Sequence, residues 1–227
     1  MKNHFKTLAT PRTWRINRKK KVFVIRSFPS GHPVFLSMPI SIAIRQLGFA
    51  ETAKEARYIL NKQEVLVDGK RIKKQKFAVG FLDVLSFPLI KKWYRMTLNK
   101  KGLLELISID EKESTIKPCK IKNKTALGGK VQLNLSDGKN VLVDKDSYKR
   151  GDSVLLNLQN NSIISHLPFT KGASIIIMNG KNIGHVGTIE RIDANKILYK
   201  DKEGEIKETA KSHAYVVGKE KPEISLP

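Results

Sequence analysis

The sequence predicts an α+β chain of several small parts, in the order basic arm, compact ααβ unit, central β domain and C-terminal β barrel. Three observations predict it. The opening stretch is cationic and broken by Pro11, Pro29, Gly31 and Pro33; residues 38–72 carry helical periodicity and then a hairpin signal; and beyond Pro88 short apolar runs alternate with Gly, Asn and Asp turns. The expected boundaries are 1–37 for the arm, 38–92 for the ααβ unit, 93–170 for the central β domain, 171–218 for the barrel and 219–227 for a polar tail.

The arm carries Lys2, Lys6, Arg12, Arg15, Arg18, Lys19, Lys20, Lys21 and Arg26 with no acidic residue to answer them. Neither helical nor strand periodicity covers it, so it is expected to be extended, with little core of its own, and to order on a partner. Trp14, Phe23 and Phe28 among these charges favour docking, because aromatics are uncommon in a purely solvating tail.

From Met38 the pattern turns helical, with Ile40, Ala43, Ile44 and Leu47 at i, i+3, i+4, i+7 spacing, and Gly48 ends the helix. Thr52 and Glu55 form the capping-box pair of a second helix, in which Ala53, Ala56, Ile59 and Leu60 are expected to face inward. Lys54, Arg57, Tyr58 and Asn61 then fall on the opposite face, and Lys62 continues it. Val65-Leu66-Val67, an Asp68-Gly69 turn and Lys70-Arg71-Ile72 predict a two-residue hairpin, and Lys73, Lys74 and Lys76 follow at the same edge. Downstream, strands are expected at 103–109, 131–135, 141–143 and 154–158, with Ser136-Asp137-Gly138 as a hairpin turn, and a last β segment running from Ile175 to about Val217. In that segment, Met178 to Ile189 is a glycine-punctuated loop whose glycines permit close approach of a partner while Lys181, Asn182 and His185 project.

Forty-three Lys and Arg stand against twenty-one Asp and Glu, a formal charge of +22 on 227 residues. Charge of one sign at this density repels itself in the compact state and calls for a polyanionic partner, whose phosphates release condensed counterions. Enzyme classes find little footing. The five histidines are scattered without HExxH spacing, Leu127-Gly128-Gly129-Lys130 is too short for a phosphate-binding loop, and no GxSxG elbow occurs. No cofactor, metal site or catalytic residue is expected. Cys119, the one cysteine, excludes an intramolecular disulfide and reads as a small buried hydrophobe in a reducing compartment. The polar, basic opening resembles neither a signal peptide nor an anchor, and no stretch has the length to span a membrane.

Thr52-Ala53-Lys54-Glu55-Ala56-Arg57, followed by Val65-Leu66-Val67-Asp68-Gly69-Lys70, resembles the small ααL RNA-binding domain shared by ribosomal protein four, pseudouridine synthases and tyrosyl-tRNA synthetases. The loop around Asn182-Ile183-Gly184-His185-Val186-Gly187 resembles the KOW motif of ribosomal and transcription-elongation proteins. His4-Phe5-Lys6-Thr7-Leu8-Ala9-Thr10-Pro11-Arg12-Thr13-Trp14 resembles the opening of small ribosomal subunit protein four of the archaeal and eukaryotic type, a family with these parts in this order, so that the resemblance covers nearly the full chain.

That resemblance implies an ααL module, a central small β domain and a C-terminal SH3-like KOW β-barrel. It implies a structural, non-enzymatic constituent of the small ribosomal subunit in the cytoplasm, one that binds small-subunit rRNA in its 5′ region, beside neighbouring ribosomal proteins, and supports assembly and translation. No membrane and no small-molecule substrate are implied. Expected RNA-binding residues are Lys2, His4, Lys6, Arg12, Trp14, Arg15, Arg18, Lys19, Lys20, Lys21 and Arg26 of the arm; Lys54, Arg57, Lys62, Lys70, Arg71, Lys73 and Lys74 of the module; and Lys181, Asn182 and His185 of the loop. The alternative is a transcription or RNA-chaperone factor carrying a KOW barrel. A modifying enzyme or synthetase would need a large catalytic domain for which the chain has no room.

Overall fold

A computed structural model describes residues 4–19, 21–144 and 146–226. The chain forms two compact units. One runs through Thr97 and takes in Gly102–Ser114; the other comprises Leu98–Lys101 and the chain from Thr115 onward.

The first unit opens with β1 (Phe5–Lys6) paired antiparallel to β2 (Phe23–Val24). Then come β3 (Ser37–Pro39), α1 (Ile40–Gln46), α2 (Ala53–Lys62), β4 (Leu66–Val67), β5 (Lys70–Arg71), β6 (Ala78–Gly80), β7 (Val84–Phe87), β8 (Lys92–Leu98), β9 (Leu104–Ile109) and α3 (Glu111–Ser114). β3 pairs with β6, and a second sheet has the order β5-β4-β7-β8-β9. The β4–β5 hairpin has the expected turn: Asp68 (φ 49°) and Gly69 (φ 75°) are both left-handed, the geometry that matches the twist of the flanking strands. Asp68 Oδ1 also accepts from the Val84 amide at 3.0 Å, tying the turn to β7. β8 and β9, which the sequence boundary at residue 92 assigns to the central β domain, lie in the hairpin's own sheet.

α1 buries Ile40, Ala43 and Ile44, and α2 buries Ala56 and Leu60. Ala53, expected inward, is exposed, because the first residue of a helix lies at its open end before the inward face is established. The capping box is complete: Thr52 Oγ1 accepts from the Glu55 amide at 3.2 Å, and Glu55 Oε2 accepts from the amides of Glu51 at 2.8 Å and Thr52 at 3.4 Å. Those bonds hold the Glu55 carboxyl below its ordinary range.

Two further departures belong to this unit. The arm, expected to have little core of its own and to order on a partner, buries Thr7, Thr10, Thr13 and Trp14 within its own chain, Trp14 to 1% exposure. Trp14 Nε1 donates to Ser37 O at 2.7 Å, Thr13 Oγ1 to Phe35 O at 2.6 Å, and the Leu104 amide to Thr13 O at 2.7 Å. An indole among cations is here an anchor for its own chain, so Trp14 is corrected from an RNA contact to a core residue. Second, α3 was not expected, since four residues carry too little periodicity to register. It is held by the Arg95–Glu113 ion pair and by Arg95 Nη2 donating to Glu113 O at 3.0 Å. Burial draws the Arg95 guanidinium below its ordinary value, against the opposing pull of Glu113.

The second unit holds two five-stranded antiparallel sheets. In the first, β10 (Ile116–Leu127), β11 (Lys130–Leu135), β12 (Asn140–Val143), β13 (Ser153–Asn157) and β14 (Ile163–Leu167) take the order β12-β11-β10-β13-β14. β10 is long enough to serve two partners: its first half pairs with β13, and its second, past an irregularity at Ile121/Asn123, with β11. Cys119, Ile121, Leu133, Leu135, Val154 and Leu156 form the core between them, Cys119 fully buried as expected. The Ser136-Asp137-Gly138 turn is present, and Asp137 Oδ2 meets Lys117 Nζ at 3.2 Å beneath the surface.

β15 (Ser174–Ile177), β16 (Val186–Ile192), β17 (Lys196–Asp201), β18 (Ile206–Ala210) and β19 (Ala214–Gly218) take the order β18-β17-β16-β15-β19. Ile175, Ile177, Ile189, Ile197, Tyr199 and Val216 alternate inward to make the core. Tyr215 crosses to β10, its hydroxyl donating to Pro118 O at 3.0 Å and accepting from the Lys120 amide at 2.9 Å. The terminal segment is packed in part rather than a free polar tail: Ile224 is buried and the Glu223 amide donates to Val217 O at 3.0 Å.

Asp201 ties this sheet together. Its Oδ2 accepts from His185 Nδ1 at 2.8 Å and Lys207 Nζ at 2.9 Å, and its Oδ1 from the Lys202 amide at 2.7 Å. Burial pushes the carboxyl up, but these donors prevail and bring it from 3.8 to about 2.

Two measurements test this packing. Both tryptophans, Trp14 and Trp93, lie in the first unit, so their fluorescence reports its unfolding. Trp14→Ala is expected to remove about 3–5 kcal/mol from that transition in urea, with Trp93 as the remaining reporter; an unchanged midpoint would place the indole outside the core. In the second unit, a carboxyl depressed by folding contributes stability above its unfolded value near 4 and loses it as pH falls towards 2. Asp201→Asn should therefore cost on the order of 2 kcal/mol at neutral pH and flatten the acid limb below pH ~4, followed by circular dichroism in urea.

Candidate nucleic-acid interface

α2 builds the clearest cationic face. Its inward residues Ala56 and Leu60 fix its rotation, so Lys54, Arg57, Tyr58 and Asn61 all stand exposed on the other side, Tyr58 at 63%. Lys62 is exposed at the helix end, followed by exposed Lys70, Arg71, Lys73 and Lys74 from β5 and the loop after it. No acidic side chain is bonded to any of these residues in the described hydrogen bonds and ion pairs, which leaves their charge open to a partner.

The arm is folded onto the same unit. His4, Lys6, Arg12, Arg15, Lys19, Lys21 and Arg26 are exposed, whereas Arg18 is half-buried and donates to Thr10 O at 3.0 Å and Pro11 O at 2.7 Å. Arg18 therefore shapes the arm as well as charging it. Arg15 reaches Glu105 only loosely, at 3.4 Å across an exposed pair, and its carbonyl accepts from Gln46 Nε2 at 3.1 Å. The end of the arm is seated by His32, whose Nε2 hydrogen-bonds Asp83 Oδ1 at 3.1 Å. Lys2 and Lys20 lie outside the described residues.

Phe28 gains a role that the sequence showed only as an aromatic among charges. Its amide donates to Lys76 O at 2.8 Å, which sets the ring, 44% exposed, with Lys74 Nζ at 5.9 Å and Lys76 Nζ at 5.8 Å from its centroid. A half-exposed ring with ammonium groups over it joins an aromatic surface to positive charge, the two elements by which single-stranded nucleic acid is held. Sequence spacing could not pair Phe28 with lysines so far along the chain. Arg45 of α1, which its sequence context does not single out, adds a further exposed cation to this unit. On the central sheet Lys122, Lys149 and Arg150 form a further exposed basic group, with Arg150 Nε donating to Lys122 O at 3.4 Å.

The loop between β15 and β16 departs from expectation. Lys181 is exposed and Asn182 half-buried, but the His185 ring is turned to Asp201 and does not project. Two of its glycines are required by the chain's own backbone. A Cβ on Gly184 would lie 2.0 Å from Asn99 O, and one on Gly187 2.3 Å from Lys200 O, so the close approach is to the chain's own backbone.

Among the described residues no cluster of three or more His, Cys, Asp or Glu could hold a metal, and no helix is long and apolar enough to cross a membrane.

The chain is similar to known proteins along nearly its whole length. Residues 38–85 match the S4 domain, and residues 90–163 match ribosomal family S4e. Small ribosomal subunit protein eS4 of Methanosphaera stadtmanae is 40% identical over 233 residues, covering 99% of this chain and 96% of the relative. The protein of the same name from Methanocaldococcus jannaschii is 36% identical over 240 residues, with 99% and 98% covered. The crystal structure of the 30S ribosomal protein S4e from Thermoplasma acidophilum aligns with a TM-score of 0.70 at 31% identity, over 81% of this chain and 95% of that one. Identity at this level, sustained across nearly the whole of both chains, means that the chain belongs to ribosomal family S4e.

Proposed function

We propose that the protein is a structural constituent of the small ribosomal subunit, which binds small-subunit rRNA and supports subunit assembly and translation in the cytoplasmic ribosome. The observation that carries this reading is the joining of two exposed cationic surfaces, the arm and the outward face of α2, on one folded unit. Their spacing suits an irregular RNA surface: lysines and arginines position the contact through phosphates, and the open rings of Phe28 and Tyr58 accept unstacked bases. The contact set is Lys2, His4, Lys6, Arg12, Arg15, Arg18, Lys19, Lys20, Lys21 and Arg26 with Lys54, Arg57, Lys62, Lys70, Arg71, Lys73 and Lys74, to which Lys181 and Asn182 add a smaller contribution. Membership of the family supports placing the docking site in the 5′ region of the rRNA, with other small-subunit proteins as neighbours.

The last five strands are read as an SH3-like KOW barrel. A meander β15 to β18 with β19 returning beside β15 supports that reading, together with the tight Gly184–Gly187 crossing. A transcription or RNA-chaperone role is set aside, since the relatives that span this chain from end to end are named as small-subunit ribosomal proteins. Chemistry has no place in the reading.

The test is binding of the full chain to small-subunit rRNA transcripts across a salt series. Lys54→Glu with Arg57→Glu should weaken binding and reduce the slope of log affinity against log salt by up to about 0.9 for each duplex phosphate that is no longer neutralised. An unchanged slope would remove the helix face from the interface. A transcript of the 5′ region should retain the affinity of the whole; equal binding by an unrelated RNA of the same length would reduce the interaction to charge alone.

A further inference from the structure

The arm and α1 line an open cavity of about 430 Å³, within the range of roughly 300–1,000 Å³ that ligand sites occupy. Phe23 and Ile42 contribute apolar wall, while Arg15, Lys21 and Arg45 bring positive charge, and no Asp or Glu lines it. Such a lining suits a ligand with a flat apolar body and an anionic end.

Thr7 makes the cavity more than a gap in packing. It lines the space and is only 3% exposed, and its Oγ1 is buried with no hydrogen-bond partner among the described residues. A buried hydroxyl left unpartnered is destabilising, and rotation of the Thr7 side chain would offer it to a polar ligand edge in this space. Phe23 is the complement. Its backbone is fixed by pairing with Lys6, yet its ring is 54% exposed, with the His4 ring tilted against it at 5.3 Å. An aromatic left half open between cations is the surface on which an unstacked base settles.

We propose that this cavity receives one unstacked nucleotide of the bound RNA, its base against Phe23, a polar edge of the base on the Thr7 hydroxyl, and its phosphate among Arg15, Lys21 and Arg45. The proposal rests on the RNA-binding reading above and adds to it a discrete pocket. It differs in kind from the α2 face, where phosphates are met by exposed charge with no concavity to select a base. Arg45 is held at the rim by its Nε donating to Glu51 O at 3.0 Å, which leaves its terminal nitrogens for the phosphate.

The nitrogen-15-labelled full chain is titrated to millimolar levels with AMP, GMP, CMP, UMP and inorganic phosphate, and then with a single-stranded RNA of mixed sequence. At least one nucleotide should shift the amide signals of Thr7, Phe23 and Ile42 where phosphate does not, and the RNA strand should displace it. Thr7→Val should weaken that nucleotide about tenfold while thermal stability holds or rises. Phe23→Ala, at a half-exposed position, should weaken it by about tenfold or more. Equal shifts with phosphate, no shift with any nucleotide, failure of the RNA to compete, or an unaltered affinity in Thr7→Val would each overturn the pocket. Binding of the same preparations to small-subunit rRNA separates the outcomes: retained rRNA binding confines the failure to the cavity, and its loss reaches the reading beneath.

Discussion

Mutual repulsion is the constraint on which the rest of this structure depends. A chain of 227 residues carrying a formal charge of +22 must hold its cations apart from one another and still keep them where one polyanion can meet them. The apolar anchors do this. Trp14, buried and hydrogen-bonded to Ser37 O, draws a proline-broken segment onto the helical module, so that its lysines and arginines are displayed from a folded surface rather than from a free tail. The inward alanine and leucine of α2 do the same for Lys54 and Arg57. Charge that is costly in isolation is thereby arranged in advance of the partner that neutralises it.

The second unit solves a different problem with different means. Its buried carboxylates hold cations, Asp137 meeting Lys117 and Asp201 gathering His185 and Lys207, while Lys130–Asp144, Arg191–Asp193 and Lys196–Glu208 pair at the surface. Cations held in such pairs are withdrawn from the interface. Its two sheets are joined by Tyr215, and Lys122, Lys149 and Arg150 form an exposed basic group on it.

Much of the fold was legible in the sequence because the signals were local. The capping box at Thr52 and Glu55, the Asp68-Gly69 turn and the Ser136-Asp137-Gly138 turn are each satisfied within a few residues, so spacing alone specifies them. The misreadings arose where a partner lies far along the chain. Trp14 depends on Ser37, α3 on Arg95, and His185 on Asp201, and no window of residues contains both members of those pairs. The glycines of the β15–β16 loop follow the same logic: a need for close approach is visible in sequence, but what approaches is not. Of the candidate site, the outward cations of α2 were legible from its 3.6-residue period, although Ala53 was assigned to the wrong face, whereas the placing of Lys74 and Lys76 over the Phe28 ring required the fold.

The central claim is that the arm is folded onto the module before RNA arrives and that both then engage it together. Amide hydrogen exchange on the full chain, free and bound to small-subunit rRNA, measures this directly. The amides of Thr7, Trp14, Ile16 and Phe28, which are hydrogen-bonded within the chain, should be protected in the free protein, and RNA should slow exchange further across the arm and α2. An arm that exchanges freely until RNA is added, or protection on binding confined to the C-terminal strands, would contradict the account.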